Sequence, residues 1–298
     1  MIAILRSVRD YFSLVKFSHT VFAMPFALIG FSLAVSKPEF DLSIRLLLLV
    51  ILCMIFARNT AMGFNRLADK DFDSLNPRTM KREIPVGIIS ARAAAIFVII
   101  NAVLFIITTG FINRLTLFLS PVALLVIIGY SLTKRFTFLC HFVLGLGLSL
   151  APIGAYISVT GRFSILPIIY SFIVLSWVSG FDIIYALQDD DFDKLNQIHS
   201  LPSATGRKKA LAISIFIHFI TFFLVLIAGW YGNGGIIFWT GAIIFTLLLI
   251  YQHSIIRYDD LSKITMAFGT TNGIASILFA IFVILDLIFK TVNFNFIP

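Results

Sequence analysis

Charged side chains are scarce in this sequence. Asp, Glu, Lys and Arg make up 13% of its 298 residues, whereas soluble globular domains carry about 25%. The mean hydropathy is +0.99, and 59% of the residues are hydrophobic. These values exclude a soluble domain and predict a chain that spends most of its length in lipid.

Cysteine is also rare, and no segment divides the chain. Cys53 and Cys140 lie on or beside apolar stretches with no C-x-x-C partner, which argues against a zinc site or a disulfide framework and indicates packing residues. There is no linker, low-complexity tract or charge block, and the first apolar stretch lacks the layout of a cleavable signal. We therefore expect residues 1–298 to form a single domain.

Long apolar stretches dominate instead. A membrane-spanning helix needs about 20 apolar residues, and nine stretches reach about that length. They cover residues 17–36, 43–66, 93–112, 115–134, 139–159, 164–188, 209–230, 235–253 and 265–289. The sequence therefore predicts an all-α polytopic membrane protein, a bundle of about nine transmembrane helices.

The basic residues divide unequally between the two sides of such a bundle. Nine spans place seventeen of the 23 basic residues on the side of the N-terminus and five on the other. Because cytoplasmic loops carry the excess of Lys and Arg, we expect the N-terminus to face the cytoplasm. The pI near 9.6 then follows mainly from topology and calls for no nucleic-acid partner.

Acidic residues are few and concentrated in two places. Eight of the fifteen lie within residues 65–82 and 182–193. Each place holds nearly the same heptapeptide, K-D-F-D-S-L-N at 70–76 and D-D-F-D-K-L-N at 190–196, at the start of a long loop. The matched segments indicate an internal duplication. The predicted topology makes both loops caps on the cytoplasmic side.

The spacing within each acidic cluster favours one helix face. Asn65, Asp69 and Asp73 step by four residues, and the second cluster steps by three, four and four. The second cluster comprises Asp182, Tyr185, Asp189 and Asp193. Neighbouring carboxylates repel one another unless a cation lies among them, so the clusters predict a divalent-metal site. Mg²⁺ commonly binds through few carboxylates plus substrate phosphates, which makes a polyanion the expected ligand.

Asp182 and Arg58 are ionisable residues inside apolar helices, where charge is expensive and usually functional. Asp182 lies about two turns inside its span, and Arg58 lies fifteen residues into another. Arg58 would either pair with Asp182 or grip a substrate carboxylate through two parallel hydrogen bonds. Tyr130 and Lys134 form an i, i+4 pair at the end of the fourth span, where Lys134 would be either a membrane anchor or a diphosphate ligand.

Neighbouring polar residues have smaller expected roles. Asp71, Asp190 and Asp191 fall off the predicted acidic face, and we interpret them as solvated loop charges, with Asp190 near enough to support the site. His19 and His141 are interpreted as hydrogen-bonded helix-end residues rather than catalysts.

These motifs resemble those of the UbiA superfamily, the intramembrane aromatic prenyltransferases. Asn65–Asp73 fits the family's N-x-x-x-D-x-x-x-D motif, although Arg66 stands where many members have Asp. Asp189–Asp193 completes the second D-x-x-x-D motif, and Tyr130–Arg135 matches a Y-x-x-x-K segment. The opening over residues 16–26 and the Cys-His pair at 140–141 resemble the family branch of menaquinone-making bacteria, in which a naphthoate is the alternative acceptor.

The resemblance implies a Mg²⁺-dependent transfer of a polyprenyl group from its diphosphate to 4-hydroxybenzoate or a dihydroxynaphthoate. Such an enzyme would serve ubiquinone or menaquinone biosynthesis in a bacterial inner membrane. The implied metal ligands are Asn65, Asp69, Asp73, Asp189 and Asp193. The implied substrate-binding residues are Arg58, Arg66, Arg82, Tyr130 and Lys134. Arg58 would hold the acceptor's carboxylate, and Asp182 or Tyr185 would position its hydroxyl or accept a proton.

Other functions remain as alternatives. A haem-type or chlorophyll-type prenyltransferase of the same superfamily is the nearest. An ion-coupled transporter or channel predicts charges near the bilayer midplane and broken helices, whereas the acids here lie at helix ends. The D-x-x-D-G signature of alcohol phosphotransferases is absent. The sequence leaves the oligomeric state open.

Overall fold

The computed structural model describes residues 9–16 and 22–294, with side chains as far as residue 291. His19, Arg6 and the start of the first predicted span lie outside these ranges. After a short helical segment at residues 9–14, the chain forms twelve α-helices within the described ranges. They are α1 Met24–Val35, α2 Ile44–Ala68, α3 Lys70–Leu75, α4 Ala91–Gly110, α5 Arg114–Thr133, α6 Cys140–Thr160, α7 Ile165–Ala186, α8 Asp190–Leu195, α9 Leu201–Thr205, α10 Arg207–Tyr231, α11 Ile236–Ser254 and α12 Asn272–Phe294.

The predicted all-α membrane bundle is confirmed. Among the described residues, eight helices are long and apolar enough to cross a membrane, the last of them running from Met266 to Thr291 through a π-helical turn into α12. The shorter α1, at 12 residues, completes the nine apolar segments. No β-strand occurs in the part of the chain that the structure describes.

Capping residues explain why the helix ends lie near the predicted ones. Ser90 and Asn113 accept hydrogen bonds from the backbone N–H groups three residues on and so begin α4 and α5. Such side chains satisfy donors that have no partner in the first turn of a helix. The C-terminal end of α6 is capped by Gly161, whose φ of +64° is a left-handed conformation that favours glycine.

The helix α7 forms the centre of the bundle. Its Ile173, Val174 and Trp177 have no exposed surface, and α6 and α10 pack along it. Glycine allows close helix contacts in membrane bundles: a Cβ on Gly30 of α1 would lie 2.0 Å from the carbonyl oxygen of Pro152 in α6. On the side of α6 that faces α7, a Cβ on Gly145 would lie 2.5 Å from the carbonyl oxygen of Leu175.

Two long connections contain the duplicated acidic segments. The first cap loop, residues 69–90, contains α3, and the second cap loop, residues 187–206, contains α8 and α9. The matched heptapeptides form six-residue helices in both loops. The chain turns at Asp69, with φ −93° and ψ 2°, and at Asp189, with φ −110° and ψ 4°. Each acidic cluster is therefore bent rather than carried on one straight helix.

Candidate functional site

A cavity of about 300 Å³ lies between the two cap loops and the helix ends beneath them. We call it the head cavity. Every predicted metal ligand, substrate-binding residue and catalytic residue lies on its wall. These residues are Arg58, Asn65, Arg66, Asp69, Asp73, Arg82, Tyr130, Lys134, Asp182, Tyr185, Asp189 and Asp193. The fold thus brings together residues from α2, α5, α7 and both cap loops.

Asp69 is the most buried of the predicted metal ligands, at 2% exposure. Its Oδ2 atom lies 2.5 Å from Lys134 Nζ and accepts a hydrogen bond of 3.0 Å from the Asn65 amide. Its Oδ1 atom is buried and accepts no hydrogen bond. Burial raises the pKa of this carboxyl, and the neighbouring Lys134 offsets part of that rise.

Asp73 lies one turn further along and pairs with the other side of the first cap loop. Despite the turn at Asp69, its N–H donates to the Asp69 carbonyl at 2.8 Å, so both carboxylates reach the same cavity. Arg82 Nη1 lies 2.7 Å and 2.8 Å from the two Asp73 carboxylate oxygens. This ion pair folds the first cap loop back over its acidic segment.

Asp189 joins the two duplicated halves. The Arg78 guanidinium binds it through two nitrogens, with Nε 2.9 Å from Oδ1, and the Asn76 amide donates to the same oxygen at 3.0 Å. Arg78 Nη1 also donates to the Tyr185 hydroxyl at 2.9 Å. Although burial lowers it, the pKa of Arg78 is raised overall by its hydrogen bonds to Asp189 and Tyr185. The first cap loop therefore reaches across to the second acidic cluster.

The sequence reasoning did not assign Arg78 or Asn76 to the site. Their signal was present, because Asn76 is the last residue of the first matched heptapeptide and Arg78 follows it by two positions. Arg78 is one of the seventeen basic residues on the side of the N-terminus and lies in the segment that resembles the family, but it has no predicted role in the site. Lys16 was also missed: it lines the head cavity, and its pKa is lowered to about 8 by burial and by the nearby Arg66, Arg82 and Arg78.

Asp193 and its neighbour Asp190 behave differently. Asp193 lines the head cavity, where burial raises its pKa to about 6 and Asp189 adds to the rise. The interpretation of Asp190 as a solvated charge was wrong, since its exposure is 2%. Burial alone would raise its pKa, but Arg207, with Nη2 at 2.6 Å, and Lys194 lower it overall. Because the chain turns at Asp189, Asp190 faces α10 instead of solvent.

Arg58 does not pair with Asp182. Its Nη2 donates to the backbone carbonyls of Val15 and Lys16 at 3.2 Å and 2.8 Å. Its Nε is buried and has no hydrogen-bond partner. Asp182 instead lies 2.7 Å from Nδ1 of His141, a buried residue in the first turn of α6. Arg58 is thus anchored to the N-terminal segment and keeps one donor free.

Arg66 is held in a similar way. It is buried, at 4% exposure, and its Nε lies 3.4 Å from the Leu14 carbonyl. Arg58 and Arg66, two turns apart on α2, therefore both contact the backbone at residues 14–16. This places the Lys16 backbone beside the head cavity, with a left-handed φ of +43°.

A second cavity, of about 360 Å³, adjoins the first; we call it the apolar cavity. Arg58, Tyr130, Met62, Leu144 and Leu148 line both cavities. Beyond Tyr130 the apolar cavity follows α5 to Thr116, fourteen residues or about 21 Å away along a helix. Its wall is mainly aliphatic, so a long apolar cavity lies next to the head cavity.

Three acids of the head cavity, Asp69, Asp73 and Asp189, are paired with cations rather than with one another. In the described part of the chain, no three His, Cys, Asp or Glu side chains lie close enough to form a metal site. The available donors are carboxylate and amide oxygens, which are the ligands that Mg²⁺ takes. The buried Oδ1 of Asp69 lacks a donor, so it is an acceptor that no group of the described chain uses. The residues present therefore fit Mg²⁺ if the cations move off their carboxylates.

Comparison with known sequences identifies the family. The sequence model described as the UbiA prenyltransferase family matches residues 23–283. A 4-hydroxybenzoate octaprenyltransferase of Tolumonas auensis is 28% identical over 238 residues, which cover 80% of this chain and 83% of that protein. A protein of the same name from Francisella tularensis subsp. mediasiatica is 28% identical over 231 residues, or 78% of this chain and 81% of the relative.

Solved structures share the architecture. A UbiA homolog from Aeropyrum pernix, in its apo form, superposes with a TM-score of 0.81 at 29% identity, covering 90% of this chain and 98% of that one. A UbiA homolog from Archaeoglobus fulgidus, bound to DMAPP and Mg²⁺, superposes with a TM-score of 0.76 at 22% identity over 95% and 99% of the two chains, a likeness of fold. The family match over most of the sequence, on an all-α membrane bundle, shows that this chain belongs to the UbiA prenyltransferase family and is an integral membrane prenyltransferase.

Proposed function

We propose that the protein transfers a polyprenyl group from its diphosphate to an aromatic acid, with Mg²⁺, in quinone biosynthesis. The observation that carries the proposal is the pair of adjoining cavities. One is lined by acids and cations, the other by aliphatic side chains, and they meet at Arg58 and Tyr130. A prenyl diphosphate has the same division into a charged head and an apolar tail.

The head cavity suits the diphosphate and its metal. Its candidate Mg²⁺ ligands are Asn65, Asp69, Asp73, Asp189 and Asp193. Bound Mg²⁺ would neutralise negative charge that develops on the departing diphosphate. Arg66, Arg82 and Lys134 would bind phosphate oxygens, and the structure adds Lys16 and Arg78 to this set. Such preplaced cations stabilise the transition state most where charge accumulates.

The apolar cavity suits the prenyl tail. It begins at Tyr130, where the reacting carbon would lie, and extends about 21 Å along α5. Small side chains such as Ala57, Ala61 and Gly147 leave the space open. Burial of the tail there removes apolar surface from contact with polar groups at the membrane boundary.

Arg58 is the residue best placed to bind the acceptor's carboxylate. Its guanidinium lies where the cavities meet, and its buried Nε has no partner. A carboxylate would provide the acceptor that this N–H lacks. The curated relatives are named 4-hydroxybenzoate octaprenyltransferases, which supports an aromatic acid with a phenol oxygen. The Cys-His pair at 140–141 keeps a dihydroxynaphthoate as the second candidate.

The proposed reaction joins two carbons. A ring carbon next to the phenol oxygen supplies the electron pair for the new bond to the allylic carbon. The bond from that carbon to oxygen breaks, and its electron pair leaves with the diphosphate. The ring then loses the proton from the attacked carbon and becomes aromatic again. Asp182 and Tyr185, both on the wall of the head cavity, are the candidate proton acceptors.

The cap loops are proposed to face the cytoplasm of a bacterial cell. Seventeen basic residues lie on the side that holds both loops, against five on the other. Labelling of single cysteines by an impermeant reagent tests this orientation. A cysteine placed at exposed Lys81 should be protected in intact spheroplasts and labelled in inverted vesicles, and one placed at exposed Arg162 should show the reverse.

The test of the reaction is an incubation of detergent-purified protein with Mg²⁺, a long-chain prenyl diphosphate and one aromatic acid at a time. Mass spectrometry of the organic phase should show a prenylated acid that is lost on adding EDTA. D73N and D189N should abolish it. Mg²⁺-dependent diphosphate binding without product would contradict an aromatic-acid acceptor, and an absence of binding would contradict the whole proposal and favour a transporter.

A further inference from the structure

His141 contacts two groups that fix its protonation. Its Nδ1 lies 2.7 Å from Asp182 Oδ2, and its Nε2 lies 3.2 Å from the backbone nitrogen of Leu201. A backbone N–H can only donate, so Nε2 is the acceptor and carries no proton. The imidazole proton is therefore on Nδ1 and is donated to Asp182. His141 is therefore a neutral ring whose Nδ1–H donates to the Asp182 carboxyl group.

Only one carboxyl oxygen of Asp182, Oδ2, accepts a hydrogen bond from His141. No other described side chain or backbone group donates to it, and its side chain keeps 20% exposure on the wall of the head cavity. The ring of His141 has 3% side-chain exposure, and both of its nitrogens already take part in hydrogen bonds, so Asp182 is the more open of the two to a substrate. The bond thus fixes Oδ2 and leaves Oδ1 as an acceptor that faces the cavity.

The other candidate acceptor, Tyr185, is in a different situation. Its hydroxyl accepts a hydrogen bond from Arg78, which also binds Asp189. A hydroxyl beside this guanidinium is poorly suited to take up a proton, because the cation disfavours added positive charge. Asp182 has no cation of this kind, only the neutral ring of His141. The geometry therefore favours Asp182 over Tyr185 as the proton acceptor, a choice that the sequence alone left open.

The segment from Lys134, at the end of α5, to His141, in the first turn of α6, also binds the second cap loop. The N–H of His199 donates to the Lys134 carbonyl at 2.7 Å, and the Cys140 thiol lies 3.5 Å from the His199 carbonyl. The bond from Leu201 to His141 is the third link. One ring thus connects the loop that follows Asp189 and Asp193 with the carboxylate of Asp182.

We propose that Asp182 accepts the proton released by the aromatic acceptor, and that His141 is the positioning residue that holds Asp182 for this step. The inference rests on the proposed function. The proton moves from the attacked ring carbon to Oδ1 of Asp182 after the new carbon–carbon bond forms. His141 keeps its own proton on Nδ1 throughout and supplies the hydrogen bond that orients the carboxylate.

Two substitutions test the two hydrogen bonds of His141 separately, because each keeps one bond and removes the other. The amide nitrogen of Asn stands one bond beyond Cγ, as Nδ1 does, so H141N keeps a donor for Asp182 and loses the acceptor for Leu201. The amide oxygen of Gln stands two bonds beyond Cγ, as Nε2 does, so H141Q keeps the Leu201 contact and loses the donor. The pair distinguishes positioning of Asp182 from support of the loop.

The measurements are kcat and KM for the aromatic acid, thermal stability, and calorimetric binding of farnesyl thiolodiphosphate with Mg²⁺. We expect H141Q to lose kcat by about tenfold to a hundredfold, the range for one hydrogen bond to a charged group, with analogue binding unchanged. H141N should retain kcat within about threefold and melt at a lower temperature because Leu201 loses its acceptor. H141Q/D182N should be no slower than D182N.

Equal losses of kcat in H141N and H141Q, or wild-type kcat in H141Q, would overturn the positioning role. Full turnover by D182N would overturn the role of Asp182 as proton acceptor. Both results presuppose product formation by the wild-type protein. Wild-type protein that binds the analogue and prenylates neither acid would refute the proposed function, and with it this inference, through a measurement made before any variant is compared.

Discussion

The pair of Lys134 and Asp69 offers the sharpest test of how the ligand-free site is stabilised. Asp69 has 2% exposure, and its Oδ1 has no donor. The substitution K134M removes the cation 2.5 Å from Oδ2 and leaves only the Asn65 amide. A buried charge that loses its partner destabilises a protein by more than the lost bond was worth. We therefore expect K134M to lower the stability of the ligand-free protein clearly.

The size of the effect follows from the exposure of the partner. Lys134 has 28% side-chain exposure, so water reaches this pair. We take about 2 kcal/mol, the middle of the range for hydrogen bonds to charged groups. With an unfolding entropy of about 2.1 cal/mol/K per residue, such a loss lowers the Tm of this 298-residue chain by about 3 °C. The assay is a thermal melt of detergent-purified protein without ligand, followed by intrinsic tryptophan fluorescence.

A double-mutant cycle isolates the cause. D69N removes the buried charge, and its uncompensated Lys134 can turn to solvent. The double variant D69N/K134M should therefore melt close to D69N, with a coupling of about 2 kcal/mol. Millimolar Mg²⁺ should raise the Tm of K134M more than that of D69N/K134M, because only K134M keeps the carboxylate. Additive losses in the double variant would refute the assignment of a charged, paired Asp69.

Three further predictions concern other parts of the molecule. The pKa of Lys16 is lowered to about 8, so the affinity for a prenyl thiolodiphosphate should fall as the pH rises through 8 and the ammonium loses its charge. The variant K16M should bind this analogue more weakly than the wild type at pH 7, and its affinity should not fall in this way as the pH rises through 8. G147F should fill the apolar cavity, so that turnover with a long-chain diphosphate falls at least tenfold while dimethylallyl diphosphate is still used. G30A should lower Tm by several degrees, because its Cβ would lie 2.0 Å from the Pro152 carbonyl oxygen, whereas G147A, with 3.7 Å to its nearest atom, should melt like the wild type.

The membrane helices could be predicted because their signal is local. Each span needs about 20 consecutive apolar residues, and the polar caps that begin α4 and α5, Ser90 and Asn113, stand directly beside them in the sequence. The predicted range 43–66 and the observed α2, Ile44–Ala68, differ by two residues at most. The turn at Asp69 was not predicted, because a spacing of four reads as an uninterrupted helix.

The positions of the acids could be predicted, but their partners could not. Carboxylates stand out in an apolar chain, and their duplication marked both clusters. Arg78 contacts Asp189 across 111 positions, and Arg58 contacts Lys16 across 42. A single sequence carries no signal for such distances. Asp190 shows the same limit: helical spacing placed it outside the predicted face, and the turn beside it directs it towards Arg207.

Asp286 shows that an intramembrane acid can have a structural role. It is buried in α12, accepts hydrogen bonds from the backbone N–H groups of Gly235 and Phe238, and pairs with Lys290 at 2.7 Å. It therefore caps the start of α11 at the end of the bundle away from the head cavity. The sequence alone offers no partner for Asp286 beyond Lys290, one turn away. Duplicated acids with distant cationic partners, rather than burial alone, distinguish the site.

The ion pairs of the head cavity explain how one set of residues can serve both a cation and an anion. Asp69, Asp73 and Asp189 are each neutralised by a basic side chain. On the proposed function, Mg²⁺ would replace these cations at the carboxylates, and diphosphate would replace the carboxylates at the cations. Either ligand alone would leave one sign of charge without a partner among largely buried side chains, which is costly. The two together leave both signs paired, so the arrangement favours joint binding of metal and prenyl diphosphate over binding of either one.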